Sequence, residues 1–341
     1  MEKIKLDFPN EPKIPLDNYL LKLVDKKDGI GSSLYLYGVE FFVKELWEEI
    51  TESDKILKKD LLEKLQVQAS PFCAIMKGKR GISIQQLYKL LTLWGKLCNK
   101  NDSELKKKWD GIYKNDFLIA SFSKPIKVKL PKFITPKLAY IIGLIIGDGC
   151  FDCSSNKERI KINEKNREQL ELIIKPITEE LFGIKCYVRK DNPGPCLRIF
   201  SKSVYRFFRK VLGIKVGRIP KLIWTLDETN KSFLIRGLFD SEGDVDANYL
   251  RSKVRISQNS KQFLKNLLLL MKSIDISANG PYGPNFGSRN GVCYNIEVRK
   301  KSEILKFKQI IGTSHLEKNK KLEILTNEIK DKYTRFQNLG I

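Results

Sequence analysis

Residues 140–149 (YIIGLIIGDG) and 234–243 (LIRGLFDSEG) are two copies of one pattern, a short apolar helix that ends in an acid followed by glycine. Gly143 matches Gly237, Gly147 matches Ser241, Asp148 matches Glu242 and Gly149 matches Gly243, all at an offset of 94. In each copy the small residues stand four apart, so they share one helix face and let two backbones approach closely. Two such helices packed about a two-fold end with their acids side by side. At roughly 6 Å, two carboxylates repel by about 3 kcal/mol at an effective dielectric near 20, so either one is protonated or a cation sits between them. A hard divalent ion suits such an oxygen site and phosphate substrates. An acid at a helix C-terminus also opposes the helix dipole, and its recurrence in both copies calls for a compensating cation.

The repeat continues beyond these helices. Residues 161–165 (KINEK) align with 255–259 (RISQN) at the same offset, and Leu170 aligns with Leu264. Further on, 201–203 aligns with 299–301 and 212–213 with 311–312, the offset having grown to 98–99. This is a duplication with loop insertions, each unit reading helix, hairpin, helix, hairpin, helix. Thr135-Pro136 caps the first motif helix, and Thr229 takes the matching place before the second. Gly194-Pro195 marks one turn, and residues 280–291 a longer one in the second unit. Strand alternation sends Ile160, Ile162, Cys186 and Val188 inward and Arg159, Lys161, Asn163, Lys185, Tyr187 and Arg189 outward. In the second unit Arg251, Lys253, Arg255 and Ser257 share the outer face. Such faces, with Arg198 and Gln258 added, suit a duplex: Arg and Lys reach phosphates or guanine edges, and Asn and Gln suit adenine.

These motifs resemble the two motifs of the LAGLIDADG homing endonucleases, in the single-chain form that carries both copies, over residues 130–333. Ile146 departs from the pattern where the first acid of the usual pair would stand, while Asp240 keeps it in the second copy. The resemblance implies an α+β fold of two pseudo-symmetric αββαββα half-domains, 131–228 and 229–341, forming a DNA-binding saddle. It implies site-specific double-strand DNA hydrolysis, with Asp148 and Glu242 as catalytic metal-binding carboxylates and the carbonyls of Gly147 and Ser241 as further ligands. Mg2+ is the implied cation, with Mn2+ as a substitute. Lys165 and Arg218 match basic positions of the family near the scissile phosphates, the latter within Gly217-Arg218-Ile219-Pro220. Glu164 stands where the family often has Gln. His315, within a conventional tail segment (HLEK), reads as structural. Two competitors share the resemblance: a non-cleaving DNA-binding regulator, and a maturase that assists folding of a host intron RNA. The chain is expected to be a monomer with an internal pseudo-two-fold, and its ends lack splicing residues, which points to an intron-borne or freestanding gene.

Composition agrees with a polyanion partner: 63 basic residues against 40 acidic leave a net charge of +23, an electrostatic footprint of nucleic-acid binding. No apolar N-terminal core segment is visible, and the longest apolar run, residues 138–146, is far short of the roughly 20 needed to span a membrane. A cytoplasmic protein without a membrane partner is expected, with its seven cysteines as free thiols. Cys150-x-x-Cys153 lacks the second pair that a zinc site needs.

Residues 1–130 read as a separate, mainly helical domain. Within residues 58–95, a helix (60–67), a turn at Gln68-Ala69, a second helix opened by Ser70-Pro71 and a Ser83/Gln86 capping box resemble the lambda-repressor-like helix-turn-helix family, which places its second helix in the major groove. A plain helical bundle explains the same pattern. Residues 99–131 read as a lysine-rich connector.

Overall fold

The structure, a computed structural model, describes residues 8–9, 13–25, 33–53, 55–121, 124–152, 158–190, 194–286 and 292–338. Its centre is the predicted helix pair, α6 (Pro136–Asp148) and α10 (Glu228–Glu242). Helix α6 starts as expected: Thr135 accepts the N–H of Leu138 at 3.3 Å, with Pro136 in the first turn. Helix α10 starts two residues earlier than expected, because Asp227 rather than Thr229 accepts the Asn230 N–H, at 2.9 Å. The Asp227 carboxylate at the true Ncap satisfies one of the orphan amide donors.

Glycine permits the pairing. A Cβ on Gly143 would collide with the carbonyl of Leu234, and one on Gly237 with the carbonyl of Tyr140. Residues 138–147 of α6 are all buried, so this helix is apolar all round because partners surround it.

Each helix runs directly into a sheet. After α6 come β7 (Gly149–Asp152), β8 (Arg159–Asn163), α7 (Arg167–Gln169) continuing through a π turn into α8 (Lys175–Phe182), β9 (Tyr187–Lys190), β10 (Pro195–Ile199) and α9 (Lys202–Arg206). After α10 come β11 (Gly243–Asp246), β12 (Lys253–Gln258), α11 (Lys261–Lys272), β13 (Asn279–Phe286), β14 (Val292–Val298) and α12 (Lys301–Ile310). The two antiparallel sheets have matching orders, β7-β8-β10-β9 and β11-β12-β14-β13, which is the expected duplicated αββαββα unit. A long helix α13 (Leu316–Asn338) follows. The alternation holds: Ile160, Ile162, Val254 and Ile256 are buried beneath half-buried Arg159, Lys161, Lys253, Arg255 and Ser257.

Three local expectations fail. Arg251 lies in a 3-10 turn (Tyr249–Arg251) before β12, not on the strand. Lys185 precedes β9, although it is exposed as expected, like Tyr187 and Arg189 on the strand. The expected turn at 280–291 is largely strand β13, paired to β14 with register shifts, while 287–291 lie outside the described residues.

The N-terminal region carries more sheet than expected. Helices α1 (Glu40–Glu52), α2 (Lys58–Leu65), α3 (Ala69–Met76), α4 (Ile84–Leu97) and α5 (Asp102–Lys114) pack with a sheet of β3 (Ile82–Ser83), β2 (Leu34–Tyr37), β4 (Leu118–Ser121) and β5 (Lys124–Val128). The lysine-rich connector is therefore folded. An Asn101/Glu104 capping box opens α5, and Trp109, Ile112 and Tyr113 share its buried face, which leaves the lysines outside. The Ser83/Gln86 box caps α4 as expected. Gln68, not Ser70, is the Ncap of α3, and the bend from α2 is made at Gln66 in the left-handed region, φ 55°.

This region is joined to the first repeat. Strand β1 (Ile14–Pro15) pairs with β6 (Phe133–Ile134), the Tyr19 hydroxyl donates to Pro131 O at 2.8 Å, and Arg206, 2% exposed, donates to Leu23 O at 2.9 Å while its Nε holds Glu158 at 2.9 Å. No helix among the described residues is long and apolar enough to cross a membrane.

Candidate active site at the paired helix ends

The last residues of α6 and α10 meet where the predicted acids stand. A Cβ on Gly147 would lie 3.1 Å from Glu242 Cγ and would collide with Ser241 Oγ, so the absence of a side chain at Gly147 lets Glu242 come in beside Asp148. The Ser241 hydroxyl turns back to its own helix, donating to Leu238 O at 3.0 Å and Gly237 O at 3.2 Å.

The two carboxyls behave as a crowded pair. Burial and then the charge of Asp148 push Glu242 up to about 7, against the pull of Lys318 and of a hydrogen bond from Gln258. Burial and then the charge of Glu164 push Asp148 up to about 6, against Lys318 and Lys165. The two repeats support their acids differently. Gln258 Nε2 donates to Glu242 Oε1 at 2.6 Å, whereas its counterpart in the first repeat is Glu164, a further negative charge. His315 Nε2 stands 3.7 Å from Glu164 Oε1, and Asn166 N donates to that oxygen at 3.0 Å. Burial pushes Glu164 up, but the imidazole and the amide outweigh it and hold the carboxyl below the usual range.

A cleft of about 1080 Å³ opens over this cluster, lined among others by Asp148, Glu164, Lys165, Ser241, His315 and Lys318. Two of these were absent from the sequence reading as site residues. Lys318, from the first turns of α13, donates to Phe239 O at 3.0 Å and Asp240 O at 2.6 Å, the last-turn carbonyls of α10. It is a resident answer to the dipole argument, which demanded a cation at this helix end without saying which one. Burial lowers its pKa, against the charges of Asp240, Glu164, Asp148 and Asp244. His315, read as structural, lies in the same cleft through its place beside Glu164.

Asp240, the extra acid of the second motif, points elsewhere. It is 1% exposed and accepts the Tyr140 hydroxyl at 2.8 Å, Ser314 N at 3.0 Å and the Thr313 hydroxyl. Gln169 of the first repeat holds the same segment, donating to Ser314 O at 3.2 Å and accepting from Leu316 N at 3.3 Å. Both repeats thereby fix the segment that delivers His315 and Lys318. An apolar Ile146 in the first copy fits, since the matching segment there is held by backbone instead, Gly217 N donating to Ile146 O at 3.0 Å.

Of the other sequence-predicted residues, Lys165 is exposed at the cleft and near enough to Asp148 to lower its pKa. Asn163 donates to Asp148 O at 3.3 Å. Arg218 is exposed on a turn tied to α6 by the bond from Gly217 N to Ile146 O, 3.0 Å, and is not among the residues lining the cleft. The basic residues of the sheet faces are ordered by acids. Arg159 Nε donates to Asp152 at 2.7 Å, Arg255 to Asp244 at 2.9 Å and Lys253 to Glu297 at 3.0 Å.

The donor set fits a hard cation. Among the described residues no three His, Cys, Asp or Glu side chains gather as a ligand cage. A Mg2+ ion needs none, being held commonly by one or two carboxylates and by substrate phosphates. The described cysteines are free thiols, and Cys153 lies outside the described residues.

Comparison with known proteins places this architecture. The chain is 27% identical over 312 residues to the glutamine–fructose-6-phosphate aminotransferase of Methanocaldococcus jannaschii, covering 89% of this chain and 26% of that protein. It is 30% identical over 218 residues to the replication factor C small subunit of the same organism, covering 59% of this chain and 11% of that protein. The chain thus spans only about a quarter or less of the length of these curated relatives. A solved structure of I-DmoI with DNA and Mn is 22% identical, covering 53% of this chain and 98% of that one, at a TM-score of 0.42. The LAGLIDADG-like domain family matches at residues 135–213 and again at 230–312, the two repeats that α6 and α10 open. The chain belongs to the LAGLIDADG-like family, with both copies of the domain in one polypeptide.

Proposed function

We propose that this protein is a site-specific double-strand DNA endonuclease, hydrolysing phosphodiesters with a divalent cation held by Asp148 and Glu242, Mg2+ by preference and Mn2+ as a substitute. The observation that carries the reading is the pair itself. Two acids end two helices whose glycine faces exclude side chains, and each raises the cost of ionising that cluster. A cation bound there would neutralise phosphate charge and lower the pKa of water. The residues of the chain supply the rest. Gln258 orients Glu242, Asn163 braces the end of α6, Lys318 holds the end of α10, and Lys165 offers an exposed ammonium to a phosphate at the cleft. The carbonyls of Gly147 and Ser241 belong to the same proposed ligand set; Arg218, outside the cleft, is left with a phosphate-binding role.

The relatives support a separable element. An aminotransferase and a replication factor share no chemistry, and the chain matches a minor segment of each. An element that moves between genes is distributed in this way. The same proposal gives duplex DNA to the outward sheet faces and, as a second contact, to α3, whose Ser70 and Cys73 are exposed beside Gln68 and Lys77. It places the protein in the cytoplasm as a monomer.

One observation favours a second reading, a non-cleaving DNA-binding protein: the Lys318 ammonium already serves the carboxylate cluster as a cation. The two readings part on one experiment. Duplexes that the protein retains from a randomised pool are incubated with it and Mg2+. Asp148→Asn and Glu242→Gln are expected to retain those duplexes and to leave them whole. Wild type leaving every retained duplex intact in Mg2+ and in Mn2+ supports the second reading.

A further inference from the structure

The two outward sheet faces carry opposite charge at the same place. In the first sheet, hydrogen-bonded neighbours form a row Cys150, Lys161, Arg198, Tyr187. The equivalent row of the second sheet is Asp244, Arg255, Glu297, Asn279. Lys161 and Arg255 are counterparts in the repeat, so Glu297 occupies the position of Arg198. The formal charge of the row is +2 in the first sheet and −1 in the second.

Glu297 is 2% exposed although it lies on the outward face, opposite the inward Ile296 and Val298. Its carboxylate accepts Lys253 Nζ at 3.0 Å, Asn295 Nδ2 at 2.9 Å and Arg299 Nε at 2.5 Å. Burial pushes its pKa up, but Lys253 and Arg299 outweigh burial and keep the carboxyl below the usual range. The cluster is incomplete as it stands. Asn295 is 7% exposed, and its Oδ1 is buried without a hydrogen-bond partner, as is Arg255 Nε. A buried polar atom left unpaired is costly, and an incoming polar edge relieves that cost.

We infer that Glu297 is the specificity-determining residue of the second half, setting Asn295 as an acceptor so that this sheet selects an amino-bearing base edge, adenine or cytosine, and rejects guanine. The bond from Nδ2 to Glu297 fixes the amide in place, and Oδ1 is the atom of Asn295 left without a partner. Adenine N6 and cytosine N4 donate in the major groove, whereas guanine presents the acceptors N7 and O6, which meet Oδ1 and a carboxylate unfavourably. In the first sheet Arg198 stands at that place and favours guanine. The target is therefore asymmetric, and the protein has one preferred orientation on it. This rests on the DNA-binding part of the proposed function and not on cleavage.

The test is selection by binding from a randomised 40-base-pair duplex pool, without divalent ion. Wild type is expected to enrich a site in which one position of one half excludes guanine. Glu297→Gln, whose amide can also donate, loses roughly tenfold of that discrimination and leaves the other half unchanged. Arg198→Gln relaxes the other half instead. Asn295→Ser, which keeps the Lys253 and Arg299 pairs, relaxes the same position as Glu297→Gln and serves if that variant does not fold. The inference is overturned if these two variants enrich the wild-type bases, or if both halves relax together. A wild-type protein that retains no duplex overturns the DNA-binding reading and this inference with it.

Discussion

At the scale of single residues, ionisation of the acid pair is the dominant effect. The carboxyls of Asp148 and Glu242 are raised to about 6 and about 7, so the folded protein holds protons there that the unfolded chain releases above about pH 4. Stability of the metal-free protein is therefore expected to fall as pH rises from about 4 to 7, by on the order of 2–3 kcal/mol per group. Ca2+ should raise the melting temperature more at pH 8 than at pH 5. The pH dependence should shrink in Asp148→Asn and Glu242→Gln; a flat profile in wild type contradicts the crowding of the pair. Lys318→Met removes the cation that holds the end of α10 and is expected to lower the melting temperature of the metal-free protein at pH 8, with Ca2+ restoring part of the loss. An unchanged melting temperature would remove Lys318 from the site. The acids were legible because their spacing repeats. Lys318 was not, because 76 residues separate it from Glu242 and only the path of α13 brings it back. Glu164 was visible as a departure from Gln, but its partner His315 is supplied by the same returning segment.

At the scale of elements, the glycine faces are the most demanding feature. A Cβ on Gly143 meets backbone from α10, which cannot rotate out of the way. Gly143→Val is expected to cost about 3 kcal/mol or more, read as a lower denaturant midpoint, and a wild-type midpoint contradicts the packing. The duplicated unit could be read from the sequence since inward Ile and outward Arg or Lys alternate on β8 and β12. The connector was misread for a physical reason: in α5 three buried residues suffice to dock a helix whose other positions are charged, so composition resembles a linker. The cap at Asp227 was missed because Thr229 sits where strict repeat symmetry puts it, and symmetry does not bind side chains outside the interface. Arg251 failed similarly, as the strand begins only at Lys253.

At the scale of the whole molecule, the net charge of +23 acts as one field. Affinity for random-sequence duplex should fall roughly a thousandfold or more between 50 and 200 mM salt, as phosphate contacts release counterions; a weak salt dependence contradicts the sheet faces as a phosphate-contacting surface. The N-terminal region is fastened to the first repeat at β1–β6 and through Arg206, a junction that the sequence did not announce because both partners are far apart in the chain.

Asp148 and Glu242 are proposed to form one shared site and not two independent ones. A supercoiled plasmid carrying a site selected by the protein distinguishes these, since cutting one strand gives a nicked circle and cutting both gives a linear one. Asp148→Asn alone and Glu242→Gln alone are each expected to leave the plasmid supercoiled in Mg2+, while wild type linearises it. Nicked circles accumulating with either single variant would contradict it.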